Sequence, residues 1–199
     1  MSNHFNIVIG LSVSYNVVKM KVVALVGMAG SGKSEVARDF EKNGYIRIRF
    51  GDITDEEVKK RGLPLNEANE LTVREQLRQE QGMAVYAKLN LHRIDETLQK
   101  SNVVVDGLYS WEEYVLLKDY YGDKLYLVAV SSSPKTRHAR LAMRRVRPLT
   151  TKEAVDRDKS EIENINKGGP IALADFTIIN ESSLQELKEQ TQRIIERLA

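Results

Sequence analysis

The stretch "VGMAGSGKSEVARDF", from Val26 to Phe40, constrains the fold of this chain more than any other. A continuous β-branched and apolar run, Lys21 to Val26, leads into its first glycine. Such a run is typical of a strand that is buried on both faces, as in a parallel sheet. After the glycines, Val36, Ala37 and Phe40 recur at helical spacing. The sequence therefore predicts a buried strand, a glycine-rich loop and a helix, in that order.

The loop between that strand and helix fits the Walker A pattern G-x-x-x-x-G-K-[ST] through Gly27, Gly32, Lys33 and Ser34. Glycines let backbone N–H groups converge on phosphate oxygens, Lys33 can reach the β- and γ-phosphates, and Ser34 can ligate Mg²⁺. A glycine turn that binds nothing is the alternative. We expect the loop to hold Mg-ATP through Gly27, Met28, Ala29, Gly30, Ser31, Gly32, Lys33 and Ser34.

A second metal-binding residue is expected at the end of a neighbouring buried strand. The run "VVVDG" places Asp106 directly after three valines. Carboxylates in this position orient Mg²⁺ or its waters in phosphoryl-transfer proteins, although a turn aspartate could also end the strand. The sequence predicts Asp106 as the partner of Ser34 at the metal.

The rest of the chain alternates strand and helix patterns. Further strands are predicted at Tyr45–Phe50, Asn102–Gly107, Lys124–Val130 and Asp175–Asn180. Residues 53–100 have helical periodicity and are far longer than one crossover helix requires. A last helix is signalled by Ser183 and Glu186 as a capping box. These patterns predict an α/β chain of five strands separated by helices, with a helical insertion over residues 53–100.

Composition narrows the class of protein. The 199 residues are 42% hydrophobic and 29% charged, which suits one globular domain over residues 20–199. The apolar run Phe5–Val18 is short for a spanning helix and lacks a basic flank, so residues 1–19 are expected to be an extension, either an extra strand or a non-native start. A net charge of +2 and the absence of cysteine favour a cytoplasmic protein without a membrane or nucleic-acid partner.

A basic stretch follows the fourth predicted strand. "KTRHARLAMRRVR", Lys135 to Arg147, has six Lys or Arg residues and no acidic residue, on what should be a helix running toward Pro148. One interpretation is a lid over residues 135–167, whose Arg140, Arg144 and Arg147, with Arg157 further on, close over the triphosphate. A solvated or nucleic-acid-binding face is the other interpretation.

Several motifs together resemble the nucleoside-kinase branch of P-loop proteins, to which adenylate kinase and dephospho-coenzyme A kinase belong. They are "GMAGSGKSE", "FGD" with "RG" nine residues on, "LRQEQG", "VVVDG", the basic stretch and "ADFTIIN". Nearly everything after Met20 is similar to a mainly archaeal family of adenylate-kinase-related proteins. The resemblance implies an α/β, three-layer P-loop NTPase fold with a five-stranded parallel sheet. It also implies a helical acceptor lobe in the insertion, a mobile lid and Mg-ATP as the phosphoryl donor.

The chain departs from that family's pattern at the acceptor end. "GD" after the second strand is followed by "ITDEE" rather than by the arginine that grips an acceptor phosphate. Arg78, in "LRQEQG", can still bind an anionic group, and Arg49 or Arg74 could do the same. Asp52 stands where the dephospho-coenzyme A kinase type carries a candidate base, but it could instead cap the next segment.

Asn180, after the last strand, corresponds to the place where relatives bring a loop near the adenine base, although it could equally be a turn residue. The sequence thus predicts a kinase that transfers the ATP γ-phosphoryl group to a small nucleotide or nucleotide-like metabolite. The alternative is an ATP-binding or ATPase regulatory module that contacts RNA through residues 135–147.

Overall fold

The computed structural model describes residues 20–199, so the predicted extension over residues 1–19 lies outside the described residues. Five parallel strands form one sheet in the order β2-β3-β1-β4-β5. The α/β, three-layer prediction and its five strands are confirmed. The strands are β1 (Val22–Val26), β2 (Ile46–Arg49), β3 (Val103–Asp106), β4 (Leu125–Ser131) and β5 (Phe176–Ile179).

Helices cover both faces of this sheet because the central strands are apolar on both sides. Val22, Ala24 and Val26 of β1 belong to one hydrophobic cluster, whereas Val23 and Leu25 belong to the other. This alternation buries every residue of β1. The helices are α1 (Lys33–Lys42), α2 (Asp52–Lys60), α3 (Glu67–Gln81), α4 (Val85–Leu98), α5 (Trp111–Tyr121), α6 (Pro134–Ala142), α7 (Thr151–Glu163), α8 (Gly168–Ala172) and α9 (Leu184–Leu198).

Different helices cover the two faces of the sheet. Side chains of α1 and α9 pack on one face of the sheet, and those of α4 and α5 pack on the other. The α9 cap forms in part: the Ser183 hydroxyl accepts from the Glu186 N–H at 3.2 Å, while the Glu186 carboxylate bonds to Ser182. No helix in the span from residue 20 to residue 199 is both long and apolar enough to cross a membrane.

The long segment between β2 and β3 folds into helices α2, α3 and α4. A buried hydrogen bond of 2.7 Å between Thr54 Oγ1 and the Tyr86 hydroxyl joins α2 to α4. Ile53, Val58, Val73 and Leu77 are buried against the same core as the sheet. The insertion is therefore part of the main hydrophobic core, and it lies next to the C-terminal end of β2.

The basic stretch contains a shorter helix than its sequence predicts. Helix α6 ends at Ala142, five residues before Arg147, and Arg147 has a left-handed backbone with a φ of 55°. Pro148 disfavours the helical conformation for the residue before it. The chain therefore turns before α7, which begins with a complete capping box of Thr150 and Glu153.

Candidate functional site

The glycine-rich loop connects β1 to α1 at the C-terminal edge of the sheet. Gly30 and Gly32 have φ values of 80° and 108°, which side-chain-bearing residues rarely adopt. A Cβ at Gly32 would lie 2.3 Å from Asn180 Nδ2, and one at Gly30 would lie 2.7 Å from the Arg137 carbonyl oxygen. Neighbouring residues thus pack closely against the loop, and only glycine fits at these two positions.

Lys33, at the first position of α1, points back over this loop. Its amino group donates to the carbonyl oxygens of Gly27 at 2.7 Å and Met28 at 3.1 Å. Burial, together with the nearby Lys167 ammonium, lowers the pKa of Lys33 to about 8, although Glu161 and Asp106 act in the opposite direction. The lysine is therefore a cation held in a site that already contains positive charge.

Asp106 ends β3 beside the loop because β3 pairs with β1 in a register that sets Asp106 opposite Leu25. The Ser34 hydroxyl donates to Asp106 Oδ2 at 3.2 Å, so the two predicted metal-binding residues are adjacent. Arg47 of β2 also contacts this carboxylate oxygen, a partner that the sequence analysis missed. Arg47 is the second residue of an edge strand, and nothing in the sequence around it indicates a role in the site.

Helix α7, in the predicted lid region, lies directly on the loop. Glu161 Oε2, on α7, accepts a hydrogen bond of 3.2 Å from the Ala29 N–H and lies 2.8 Å from the Lys167 amino group. Arg157 Nε donates to Glu161 Oε1 at 3.3 Å. Arg157 was a predicted lid residue, whereas Glu161 and Lys167 were not predicted. The only available signals were the i,i+4 spacing of Arg157 and Glu161 and the "NKGGP" turn that contains Lys167.

The predicted lid arginines occupy three different environments. Arg140 donates to Ser132 Oγ and to the Asn180 carbonyl oxygen, both at 3.0 Å. Arg147 contacts Glu70 of α3. Arg144 is exposed beyond the end of α6 and lies within electrostatic range of Arg157. Arg140 is thus at the base of the lid, while Arg147 reaches across to the insertion.

Asn180 lies beneath the loop. Its side-chain N–H donates to the Ser31 carbonyl oxygen at 2.8 Å, and its backbone N–H donates to the Ser131 carbonyl oxygen, also at 2.8 Å. The residue is buried. In this arrangement Asn180 ties the end of β5 to the phosphate-binding loop.

The predicted acceptor residues lie on the insertion side of the site. Arg49 donates to Asp52 at 2.6 Å and to Asp55 at 2.9 Å, so one guanidinium serves two carboxylates. Arg78 stacks over the Tyr86 ring, with 5.2 Å from its guanidinium carbon to the ring centroid. The buried Arg78 Nε has no hydrogen-bond partner among residues 20–199.

Glu113 is a further buried carboxylate near Arg78 that sequence reasoning did not single out. Glu113 Oε2 accepts from the Tyr109 N–H at 2.8 Å, and the Glu113 N–H donates to the hydroxyl of Ser110, the N-cap of α5, at 3.1 Å. Burial raises the pKa of Glu113 to about 7, against the opposing effects of the Tyr109 N–H, Arg78 and Lys167. Glu113 Oε1 is buried and has no partner within the described part of the chain.

This loop, carboxylate and lid define a P-loop protein with a kinase-like fold, and comparison with known sequences agrees. The sequence model of a family described as an AAA domain matches residues 23–166. A "UPF0200 protein" of Thermococcus onnurineus is 35% identical over 89% of this chain and 97% of that relative. One of Thermococcus sibiricus is 37% identical over 89% of this chain and 95% of the relative. The chain belongs to this archaeal UPF0200 family within the AAA-domain P-loop proteins.

Solved structures show the same fold at low sequence identity. A shikimate kinase from Bacteroides thetaiotaomicron is 16% identical with a TM-score of 0.58, over 90% of this chain and 98% of that one. A dephospho-CoA kinase from Campylobacter jejuni is 12% identical with a TM-score of 0.53, over 91% of this chain and 98% of that one. At these identities the likeness concerns the fold alone.

Proposed function

We propose that this protein is an ATP-dependent kinase that transfers the γ-phosphoryl group to a hydroxyl of a small nucleotide or nucleotide-like metabolite. The observation that carries the proposal is the enclosure of the loop by two further parts of the chain. Arg157 of the lid pairs with Glu67 of the insertion at 3.1 Å, and Arg147 contacts Glu70. A lid that closes against an insertion excludes water from a transfer reaction, whereas a simple nucleotide switch needs neither part.

The residues at the loop fit Mg-ATP. Ser34 Oγ and Asp106 Oδ2 lie 3.2 Å apart, near the separation of about 2.9 Å expected for adjacent oxygens at 2.0–2.1 Å from Mg²⁺. The ion, when bound, would neutralise charge on the phosphates. Arg47 holds Asp106 in position, the loop N–H groups hold phosphate oxygens, and Lys33 supplies a cation at the β- and γ-phosphates.

The lid supplies the remaining positive charge. Arg144 and Arg147 lie on the segment between α6 and α7, and we propose that they stabilise the charge on the phosphoryl group during transfer. Arg140 anchors the base of the lid to the Asn180 carbonyl oxygen. Through its bond to Ser31, Asn180 acts on the bound nucleotide by fixing the loop.

The acceptor end favours a hydroxyl over a phosphate. Asp52 and Asp55 both lie against Arg49 there, and Asp55 is also 4.0 Å from Arg147, so carboxylates of the chain already occupy these arginines. An acceptor phosphate would have to displace these carboxylates, while a hydroxyl can donate its hydrogen to Asp52. In the transfer the hydroxyl oxygen forms a bond to the γ-phosphorus, the bond from that phosphorus to ADP breaks, and the hydroxyl proton passes to Asp52. Arg78, on α3 of the insertion, would bind an anionic group elsewhere on the acceptor.

The fold neighbours named shikimate kinase and dephospho-CoA kinase support kinase chemistry as the first candidate. The test is a screen of acceptors with Mg-ATP, followed by mass spectrometry of the products. AMP, CMP, UMP, dephospho-coenzyme A and nucleosides form the first set, and Lys33→Ala is the blank. We expect one acceptor to give product well above the blank. If ATP binds but every acceptor stays at the blank level, the kinase proposal is wrong for this set, and an ATP-binding module remains.

Asp55 offers a comparison for the role of Asp52, because both carboxylates pair with Arg49. With the acceptor found in the screen, Asp52→Asn should lower kcat by about 10² to 10⁴ and leave ATP affinity unchanged. Asp55→Asn removes the same charge from Arg49 and also the weaker pair with Arg147 at 4.0 Å, and it should lower kcat far less than Asp52→Asn does. Equal effects of the two substitutions would show that charge at this end, rather than proton transfer to Asp52, controls the rate.

A further inference from the structure

Lys167 is the most deeply buried cation near the phosphate-binding loop. The residue is 1% exposed, and its amino group lies 2.8 Å from Glu161 and 5.5 Å from the centre of the Tyr109 ring. Lysine is almost never fully buried unless it is paired. Burial lowers the pKa of Lys167, while Glu161 opposes this effect and favours the charged form.

The Glu161 carboxylate has the surroundings of a bound anion rather than of a lid surface residue. One oxygen accepts from the Ala29 N–H of the loop, and the cations Lys167 and Arg157 lie against the two oxygens. Burial by itself would raise the pKa of Glu161, but Lys167, Arg157 and Lys33 lower it to about 2. A loop amide and several cations around one anionic group make the environment in which this fold binds phosphate.

We propose that Lys167 is a phosphate-binding residue delivered by the lid, and that the Glu161 carboxylate occupies the position of a phosphate group on the Ala29 amide. The proposal rests on the proposed nucleotide binding and extends it. An amide hydrogen cannot fully serve a carboxylate and a phosphate together, and two anions at this distance repel each other. Binding of a nucleotide phosphate therefore requires Glu161 to leave Ala29, and Lys167 then exchanges its carboxylate partner for the phosphate.

A purely structural ion pair gives different expectations. If Glu161 and Lys167 only held α7 on the loop, neutralising either residue would loosen the lid and weaken nucleotide binding. Under the proposal the two residues act in opposite directions: Glu161 competes with the phosphate, and Lys167 attracts it. The sign of the change in affinity therefore separates the two accounts.

The experiment measures affinity by calorimetry, with Mg-ATP and with inorganic tripolyphosphate as the ligands. Glu161→Gln should bind both ligands about tenfold more tightly than the wild type, and Lys167→Met should bind both about tenfold more weakly. Glu163→Gln is the matched control, since Glu163 is an exposed carboxylate on the same helix, 3.9 Å from Lys159. This control should bind like the wild type.

Glu161→Asp provides a second variant that keeps the buried charge, so that folding does not decide the outcome. The aspartate side chain is one methylene shorter, so its carboxylate lies further from the Ala29 amide. The affinity for Mg-ATP and for tripolyphosphate should therefore rise again. Weaker or unchanged binding in both Glu161 variants, with Lys33-dependent ATP binding intact in the wild type, would overturn the proposal. If Lys33→Ala binds ATP as well as the wild type does, the proposed function fails instead.

Discussion

The pKa of Lys33 leads to a quantitative prediction for nucleotide binding. Burial and Lys167 lower this pKa to about 8, and phosphate oxygens bind the charged form of the side chain. In the free protein the amino group is charged below pH 8 and loses its proton as the pH rises through this value. One pH unit above the pKa, only about one molecule in eleven carries the charge. ATP affinity should therefore fall about tenfold between pH 7 and pH 9, which corresponds to about 1.4 kcal/mol.

The assay is calorimetric titration of Mg-ATP at pH 7, 8 and 9, with each pH measured in two buffers of different ionisation enthalpy. The difference between buffers gives the protons taken up on binding, because a bound phosphate raises the pKa of Lys33 again. About half a proton should be taken up at pH 8 and about nine-tenths at pH 9. Lys33→Arg is the control, since arginine stays charged over this range.

Two results would refute this reasoning. Constant ATP affinity from pH 7 to pH 9 in the wild type would show that Lys33 does not titrate in this range. A decrease that persists in Lys33→Arg would assign the titration to another group, and Lys167, whose pKa is also lowered by burial, is the first candidate.

Two further predictions concern stability. Gly30→Ala should lower the free energy of unfolding by about 1–3 kcal/mol and abolish ATP binding, because the new Cβ would lie 2.7 Å from the Arg137 carbonyl oxygen. Gly44 has a similar φ of 86°, but a Cβ added there would meet no atom of the described residues within 4 Å other than its chain neighbours. Gly44→Ala should therefore leave ATP binding intact. Urea unfolding and calorimetry test both variants. Arg137→Ala should lower the free energy of unfolding in urea by about 3 kcal/mol. The substitution removes the buried guanidinium of α6 that lies 2.7 Å from Asp158 of α7. Lys159→Ala, which removes an exposed cation from α7, should cost under about 0.5 kcal/mol, and equal losses in these two variants would contradict the role given to Arg137.

The sheet and the conformation of the glycine-rich loop could be predicted because they depend on local sequence. Apolar runs predicted the inner strands β1, β3 and β4, since a strand buried on both faces must be apolar throughout, and alternation of apolar and polar residues predicted the edge strand β2. The loop residues from Gly27 to Ser34 are contiguous, and their glycines and lysine form a pattern of known geometry. The place of Asp106 next to Ser34 followed from one further rule, that the ends of parallel strands meet at one edge of the sheet.

The lid contacts could not be predicted because they join residues far apart in the chain. Glu161 meets Ala29 across 132 positions, and no local pattern distinguishes it from the other acidic residues of α7. The end of α6 at Ala142 was also missed, because Pro148 signals a stop only near the residue before it, five residues further on. The basic stretch indicated positive charge near the site, but the partner of each arginine depends on the packed structure.

The order of strands in the sheet has a consequence for how the protein is made. β1 lies at the centre, between β3 and β4, with Val22 opposite both Val103 and Leu125. Synthesis runs from the N-terminus, so β1 leaves the ribosome before β3 and β4 and has both hydrogen-bonding edges open until those later segments emerge. The Asn180 side chain that supports the loop follows later still. During translation, therefore, an apolar strand stays unpaired while the chain between β1 and β4 is made, and the glycine-rich loop gains its last support only after β5 has emerged.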